Sequence, residues 1–150
     1  MATSERTADG PVTVSLSVPF AAGQSRPRMT SRPFPHMVKP ARDRERESAV
    51  AAAFDAAMAE LGLEAPLAPR GVPVAVSVRV CRRLPRSAPK RVVSEPDTGK
   101  PDADNVAKLV MDALNGHAYE DDAQVTSLRV TKMPRSRVTC DLMEVEVFRG

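Results

Sequence analysis

The chain has 150 residues, which fits one domain with its own core and is too short for two domains of ordinary size. Hydrophobic residues make up 42% and aromatic residues only 3%, so aliphatic side chains must fill the core. A formal net charge of +3 and a pI of about 9.2 allow a polyanionic partner, but they fit a merely basic soluble protein equally well. No run approaches the roughly 20 apolar residues of a membrane span, so we expect a cytoplasmic protein without membrane contact.

The two ends of the chain differ in pattern. Residues 1–10 are small and polar and carry no periodicity, which predicts a disordered leader. Residues 11–150 are expected to form the single domain. Its two cysteines, Cys81 and Cys140, lie in apolar, strand-like segments without CxxC spacing, which predicts buried free thiols rather than a zinc site or a disulfide.

The first half of the domain alternates regular and irregular segments. Residues 12–18 alternate apolar and hydroxyl side chains, which predicts a strand. Residues 19–40 are rich in Pro and Arg and predict a long basic loop. Residues 42–61 contain no Pro or Gly and place apolar side chains at helical spacing, so we expect a helix that ends at Gly62 and begins with a solvated, charged turn.

The middle of the chain repeats this arrangement. Residues 72–80 alternate and are rich in valine, which predicts a second strand that begins near Pro73 and closes at Cys81. Residues 82–101 mix basic residues with prolines and predict a second basic loop with its charges pointing outward. Because flexible cations can follow a phosphate backbone, we expect the basic side chains of both loops to contact DNA. These side chains are Arg26, Arg28, Arg32, Arg82, Arg83, Arg86, Lys90 and Arg91.

A second helix follows the second basic loop. Asp102 stands at the N-cap position and Asn115 with Gly116 supplies the stop signal. One face of this helix is apolar, while Asp104, Lys108 and Asp112 recur at i, i+4 and i+8 on another. The helix therefore predicts a polar stripe pointing away from the core.

The last part of the chain contains two alternating segments. Residues 123–133 and 138–148 each predict a strand, and Pro134 with its neighbours predicts a tight connection and hence an antiparallel hairpin. The predicted order is β-α-β-α-β-β. That order indicates a single α+β domain with one mixed sheet and two packed helices.

The residues from Lys100 to Met133 carry the most informative pattern. They contain Asp-x-Asp-Asn, a lysine on the same helix, Asp-Ala-Leu and then Asp-Asp-x-Gln-Val. This segment resembles the RusA family of Holliday junction resolvases, and QSRPRMT at residues 24–30 is similar to that family's Arg-Pro-Arg loop. The resemblance implies a homodimer that binds four-way DNA junctions and makes paired cuts with a divalent metal. Mg²⁺ is the expected ion, Mn²⁺ its expected substitute, and a small-molecule cofactor is not expected.

The resemblance also assigns roles. Asp102, Asp104 and Asp122 match the family's catalytic aspartates and are the expected metal ligands, with Asp121 as a helper. Lys108 matches the catalytic lysine, which we expect to stabilise charge on the scissile phosphate. A hard cation prefers oxygen ligands, which agrees with this set. In isolation, Lys108 would instead be interpreted as a surface ion pair with Asp104.

Two neighbouring side chains, Asn105 and Asp112, are candidates to support the site, and Gln124 lies outside the catalytic set. Asn105 is either a partner that holds Asp104 or an ordinary hydrogen-bonding residue of the first helical turn. Asp112 is expected to orient Lys108. Gln124 either anchors its loop or contacts DNA, and the sequence does not separate these roles.

Two other functions fit parts of the pattern. A catalytically inactive module that binds branched DNA would need only the basic loops, but the intact aspartates and Lys108 argue against it. A metal-dependent enzyme acting on nucleotides would also use three aspartates. The lack of a glycine-rich phosphate loop and the arginine-rich loops argue against that class.

Overall fold

The computed structural model describes residues 10–25, 28–31 and 34–150, and for Arg28 and Thr30 it describes the backbone alone. Most of the predicted leader, residues 1–9, therefore lies outside the described part. Throughout the described part, no helix is both long enough and apolar enough to cross a membrane.

A mixed four-stranded sheet forms the centre of the domain. Its strands, numbered along the chain, are β1 (Val12–Val18), β4 (Val74–Cys81), β6 (Val125–Lys132) and β8 (Leu142–Arg149), and their order across the sheet is β1-β8-β4-β6. Strand β8 is antiparallel to both β1 and β4, whereas β6 is parallel to β4. The sheet is mixed, as predicted.

The predicted antiparallel hairpin of the last two strands is wrong. Strand β4 separates β6 from β8, and the chain between them forms the two-residue strand β7 (Arg135–Ser136), which pairs with β5 (Ser94–Glu95). Alternation identifies a strand and its buried face but not its neighbour. In the sheet, β8 pairs its backbone groups with β1 on one side and with β4 on the other, so no side is left for β6.

Two helices cover one face of the sheet. Helix α1 (Ala41–Glu60) and helix α2 (Ala103–Leu114) pack against each other and against the inward side chains of all four strands. Both predicted ends are confirmed, because Gly62 and Gly116 adopt positive φ angles just beyond the helices, where a Cβ would be strained.

The core between helices and sheet is almost entirely aliphatic. The central strand β4 contributes four buried valines at alternate positions, and α2 contributes a buried face. Phe54 on α1 and Tyr119 after α2 are the largest fully buried side chains. Leu61, which the helical spacing placed on the apolar face of α1, is instead 47% exposed at the end of that helix.

The predicted element order leaves out four short strands. Besides β5 and β7, the first basic loop contains β2 (Arg28–Thr30) and β3 (His36–Val38), which pair antiparallel. That loop is therefore partly regular, contrary to the prediction. The cysteines also differ from prediction: both are free thiols, but Cys81 is half-buried and Cys140 is exposed.

Candidate active site

The polar stripe of α2 faces solvent as predicted. Asp104, Lys108 and Asp112 are all exposed, and a helical rise of about 1.5 Å per residue spreads them over about 12 Å. Among the described residues, Lys108 forms no ion pair with either of its helical neighbours. The predicted orientation of Lys108 by Asp112 is therefore absent, and the Lys108 ammonium is available to an external anion.

Asp112 instead binds two residues of the first basic loop, Gln24 in its first part and Lys39 near its end. Its Oδ2 accepts hydrogen bonds from Gln24 Nε2 at 2.7 Å and from Lys39 Nζ at 3.3 Å. Lys39 also donates to Glu47 Oε1 on α1 at 2.7 Å. The hydrogen bond with Glu47, followed by that with Asp112, raises the pKa of Lys39 despite partial desolvation, so this lysine stays charged.

The start of the same loop lies on the first turn of α2. The Gln24 amide N–H donates to the carbonyl oxygen of Asn105 at 2.8 Å. A Cβ added to Gly23 would come within 2.8 Å of Asn105 Cβ, so only glycine permits this approach. Asn105 is thus the residue of α2 on which the loop packs, and neither predicted alternative included this role.

A hydrogen bond from the backbone to the side chain of Asp43 also holds this loop. Asp43 lies in the first turn of α1, where the sequence predicted only solvated charges, but it is fully buried. Its Oδ2 accepts a hydrogen bond from the Ser25 backbone N–H at 2.8 Å. The sequence gave no signal for this burial, because the helical neighbours of Asp43 at positions 41, 42, 44 and 45 are exposed.

The N-terminus of α2 carries Asp102 at the predicted N-cap position. The Asp102 side chain makes no capping hydrogen bond; its Oδ2 lies 3.1 Å from Lys100 Nζ, and both side chains are largely exposed. An exposed ion pair of this kind contributes little stability. The carboxylate of Asp102 is therefore held only by this weak ion pair.

A buried ion pair anchors the loop that leads to Asp102. The side chain of Asp97 is 0% exposed and accepts two hydrogen bonds from the Arg82 guanidinium, at 3.0 and 3.1 Å. Lys132 Nζ lies 3.9 Å from Asp97 and donates to the carbonyl oxygen of Gly99. The predicted outward orientation of every charge in loop 82–101 is thus wrong for Arg82 and Asp97.

The rest of the second basic loop remains available to a ligand. Arg137 holds its backbone through hydrogen bonds to the carbonyl oxygens of residues 88, 89 and 92. Four predicted DNA-binding side chains on it are exposed, namely Arg83, Arg86, Lys90 and Arg91. Of the first loop's predicted arginines, Arg26 and Arg32 lie outside the described residues, and Arg28 is described only as part of the backbone of β2.

A 3-10 helix (Asp122–Gln124) presents the remaining predicted aspartates. Asp121 caps it by accepting from the Ala123 N–H at 3.0 Å. Gln124 Oε1 accepts from two backbone N–H groups, those of Glu120 and Asp121, and its Nε2 donates to the carbonyl oxygens of residues 68, 69 and 72. Of its two predicted roles, Gln124 therefore has that of a loop anchor.

The two neighbouring aspartates of this turn have pKa values shifted in opposite directions. A hydrogen bond with Asp121 raises the pKa of Asp122, with desolvation and the charges of Asp121 and Asp112 adding to the effect. The backbone N–H of Ala123 and the same shared hydrogen bond lower the pKa of Asp121. Since Asp112 acts on Asp122, these carboxylates lie within electrostatic reach of each other.

Tyr119 joins the turn to the helix. The ring is fully buried and its hydroxyl donates to the carbonyl oxygen of Met111 at 2.6 Å. Burial, followed by the charges of Asp122 and Asp112, raises the pKa of this phenol. Tyr119 therefore packs in the core, and its hydrogen bond holds the Asp122 turn beside the C-terminal half of α2.

The aspartates suit a hard cation in chemistry but are not preassembled into a cage. Across the described residues, no three His, Cys, Asp or Glu side chains are arranged to hold a metal. Asp102 and Asp104 lie at the start of α2, whereas the acid of α2 whose charge acts on Asp122 is Asp112, eight residues beyond Asp104. Mg²⁺ commonly uses one or two carboxylates together with phosphate oxygens and waters, so these exposed acids fit such an ion.

These features define an α+β domain with one helix-covered mixed sheet and an acidic helix face between two basic loops. The chain matches the model of the family Endodeoxyribonuclease RusA over residues 19–145, and it belongs to that family. It is also 37% identical over 83 residues to the uncharacterized protein YqaN of Bacillus subtilis (strain 168). That match covers 50% of this chain and 58% of the relative, so the chain spans a little over half of the relative's length.

Proposed function

We propose that this protein is a divalent-metal-dependent endonuclease that resolves four-way DNA junctions as a homodimer. Membership of the RusA family supports the proposal, and one structural observation carries it. The first basic loop is tied to the acidic helix through Gln24 and Lys39 on Asp112, and the second runs into that helix from the buried pair of Asp97 and Arg82. This arrangement would bring a DNA backbone, held by the loops, against the carboxylates.

The side chains have distinct tasks in this proposal. Asp102 and Asp104 at the start of α2, and Asp122 with Asp121 on the 3-10 helix, would hold Mg²⁺ together with phosphate oxygens. The bound ion would supply activated water and charge stabilisation. Lys108, which lacks an ion pair with its helical neighbours, would contact the scissile phosphate as a point charge.

The direct test is cleavage of a labelled four-way junction and of a matched linear duplex, each with Mg²⁺ and with EDTA. Wild type should make paired, junction-selective cuts that require Mg²⁺, and Asp104→Asn should lose them while still binding. Glu64→Gln changes an exposed carboxylate that is outside the predicted site and should cut normally. Tight junction binding without cutting by wild type would favour an inactive branched-DNA-binding module instead.

The basic loops are tested separately by the salt dependence of binding. Arg28→Ala and Arg86→Ala should each weaken junction binding and reduce the slope of log K against log salt by about one phosphate contact. Binding of Mg²⁺ should be unchanged, because neither residue is among the acids. An unaltered affinity and slope in both variants would remove these loops from the DNA-binding surface.

A further inference from the structure

The loop between α1 and β4 lies beside the Asp122 turn and has no part in the proposed function. We call residues 66–73 the Arg70 loop. Its tip is a tight turn in which the Val72 N–H donates to the carbonyl oxygen of Pro69 at 3.0 Å. Gly71 takes the third position of this turn with a φ of 87°, a conformation that favours glycine. Arg70 is therefore the first of the two corner residues at the tip.

The Arg70 loop is fixed to the Asp122 turn by the side chain of Gln124. Gln124 Nε2 donates to three carbonyl oxygens of the loop, at distances between 2.8 and 3.3 Å. At the base of the loop, Ala68 is fully buried and its N–H donates to the carbonyl oxygen of Ala118 at 2.9 Å. The position of the Arg70 backbone beside the turn is thus set by contacts that do not involve the arginine side chain.

The segment that leads into the Asp122 turn contacts both the Arg70 loop and the end of α2. Tyr119 forms one isolated backbone bridge with Ala68 of the loop and another with Asn115, which follows α2. A shallow depression of about 400 Å³ lies between loop and turn, and its walls include Arg70 and Asp121. The loop therefore adds a side to the candidate site that neither α2 nor the two basic loops provide.

Arg70 brings a positive charge to a region that is otherwise acidic. Residues 62–73 and 117–128 are all described, and Arg70 is the only lysine or arginine among them, whereas Glu120, Asp121 and Asp122 are consecutive acids. The Arg70 side chain is 87% exposed, and its Nε lies 3.8 Å from Glu120 Oε2, which is too long for a hydrogen bond. An exposed pair of this kind contributes little stability, so the guanidinium is available to another anion.

We propose that Arg70 binds a backbone phosphate of the DNA strand that crosses the Asp122 turn. The planar guanidinium presents two parallel N–H donors that match two phosphate oxygens, and a phosphate replaces Glu120 as its partner. A cation at this position offsets the repulsion between the phosphate and three consecutive carboxylates. The inference rests on the proposed function for its DNA substrate, and it adds a binding residue outside the two basic loops.

The first test is binding of a labelled four-way junction in EDTA, followed by fluorescence anisotropy over a range of salt concentrations. Arg70→Gln should weaken binding about tenfold and reduce the slope of log K against log salt by about 0.9, the value for one phosphate. Arg70→Lys keeps the charge without the fork and should retain the slope with an intermediate affinity. Arg129→Gln removes an exposed arginine outside the predicted site and should bind as wild type does. Urea unfolding should give wild-type midpoints for all three variants.

A second measurement identifies the phosphate that Arg70 contacts. Methylphosphonate linkages, placed one at a time around the branch point, each remove the charge of a single phosphate. At the contacted position, the neutral linkage should weaken binding by wild type but not by Arg70→Gln, because the variant has already lost that contact. Such a non-additive pair indicates a direct contact rather than a general effect of charge.

The outcomes separate the role of Arg70 from the proposed nuclease activity. If wild type binds junctions and Arg70→Gln binds them with the same affinity and slope, the role of Arg70 is overturned and the proposed function stands. Additive effects of Arg70→Gln and every neutral linkage also overturn the contact, as does an equal loss of affinity in Arg129→Gln. A wild type that binds no junction refutes both proposals. Non-additive binding by a protein that does not cut with Mg²⁺ supports the contact and refutes the nuclease.

Discussion

The side-chain amide of Gln24 donates to the carboxylate of Asp112 at 2.7 Å, although 88 positions separate the two residues in the chain. This contact joins the first basic loop to the face of α2 that carries Asp104 and Lys108. Lys39, at the other end of the loop, binds the same carboxylate oxygen. Two side chains of the loop that we expect to hold DNA are therefore bound to the same residue of the acidic helix.

Breaking this contact should weaken DNA binding more than folding. We expect Gln24→Glu to lower junction affinity about fivefold or more, because a carboxylate replaces the donor and repels Asp112; about 1 kcal/mol for a hydrogen bond gives this factor. Gln24→Lys keeps a donor and should bind near wild-type levels. Fluorescence anisotropy with EDTA measures both, and equal affinities for the two variants would contradict the anchoring role.

The buried pair of Asp97 and Arg82 predicts a large effect on stability. Asp97→Asn or Arg82→Gln leaves an uncompensated charge beside a buried partner, which costs about 3–5 kcal/mol in the free energy of unfolding. Arg83→Gln, one position along and exposed, should leave stability within about 0.5 kcal/mol of wild type. Urea unfolding measures both. A stable Arg82→Gln with weakened DNA binding would restore the role first predicted for Arg82.

The aspartate pair predicts a specific titration in the metal-free protein. The hydrogen bond with Asp121 raises the pKa of Asp122, so Asp122 should keep its proton to a higher pH than an ordinary aspartate. Asp121→Asn removes the negative charge and supplies an amide donor, which favours ionised Asp122 and should lower its pKa. Side-chain carboxyl NMR signals followed against pH measure the change. An unchanged or higher midpoint for Asp122 would contradict the influence of Asp121 on its pKa.

The hydrogen bonds of Gln124 predict that the position of the Asp122 turn depends on this one side chain. Gln124→Leu removes its hydrogen bonds to five backbone groups and should destabilise the protein by about 2–3 kcal/mol. If the proposed function holds, junction cleavage should fall further than binding, because the turn carries candidate metal ligands rather than basic side chains. Thr126→Leu, an exposed position just after the turn, is the control. A Gln124→Leu variant that cuts normally would refute the positioning role.

Local patterns were enough to predict most elements of the domain. Alternation identified β1, β4, β6 and β8, and the spacing of apolar residues identified both helices. Gly62 and Gly116 marked the helix ends, since only a residue without Cβ adopts positive φ freely. The motif from Lys100 to Met133 pointed to the family that the wider comparison then showed. All these features depend on residues a few positions apart.

The contacts that build the candidate site were decided only by the tertiary structure. Asp97 stands in a proline-rich loop, and its burial depends on Arg82 and Lys132, which arrive from the ends of two neighbouring parallel strands. The hairpin prediction failed for the same reason, because alternation shows which face of β8 is buried but not that β1 and β4 flank it. Pairing across long stretches of chain is selected by the packing of the whole core, so short-range sequence patterns do not encode it.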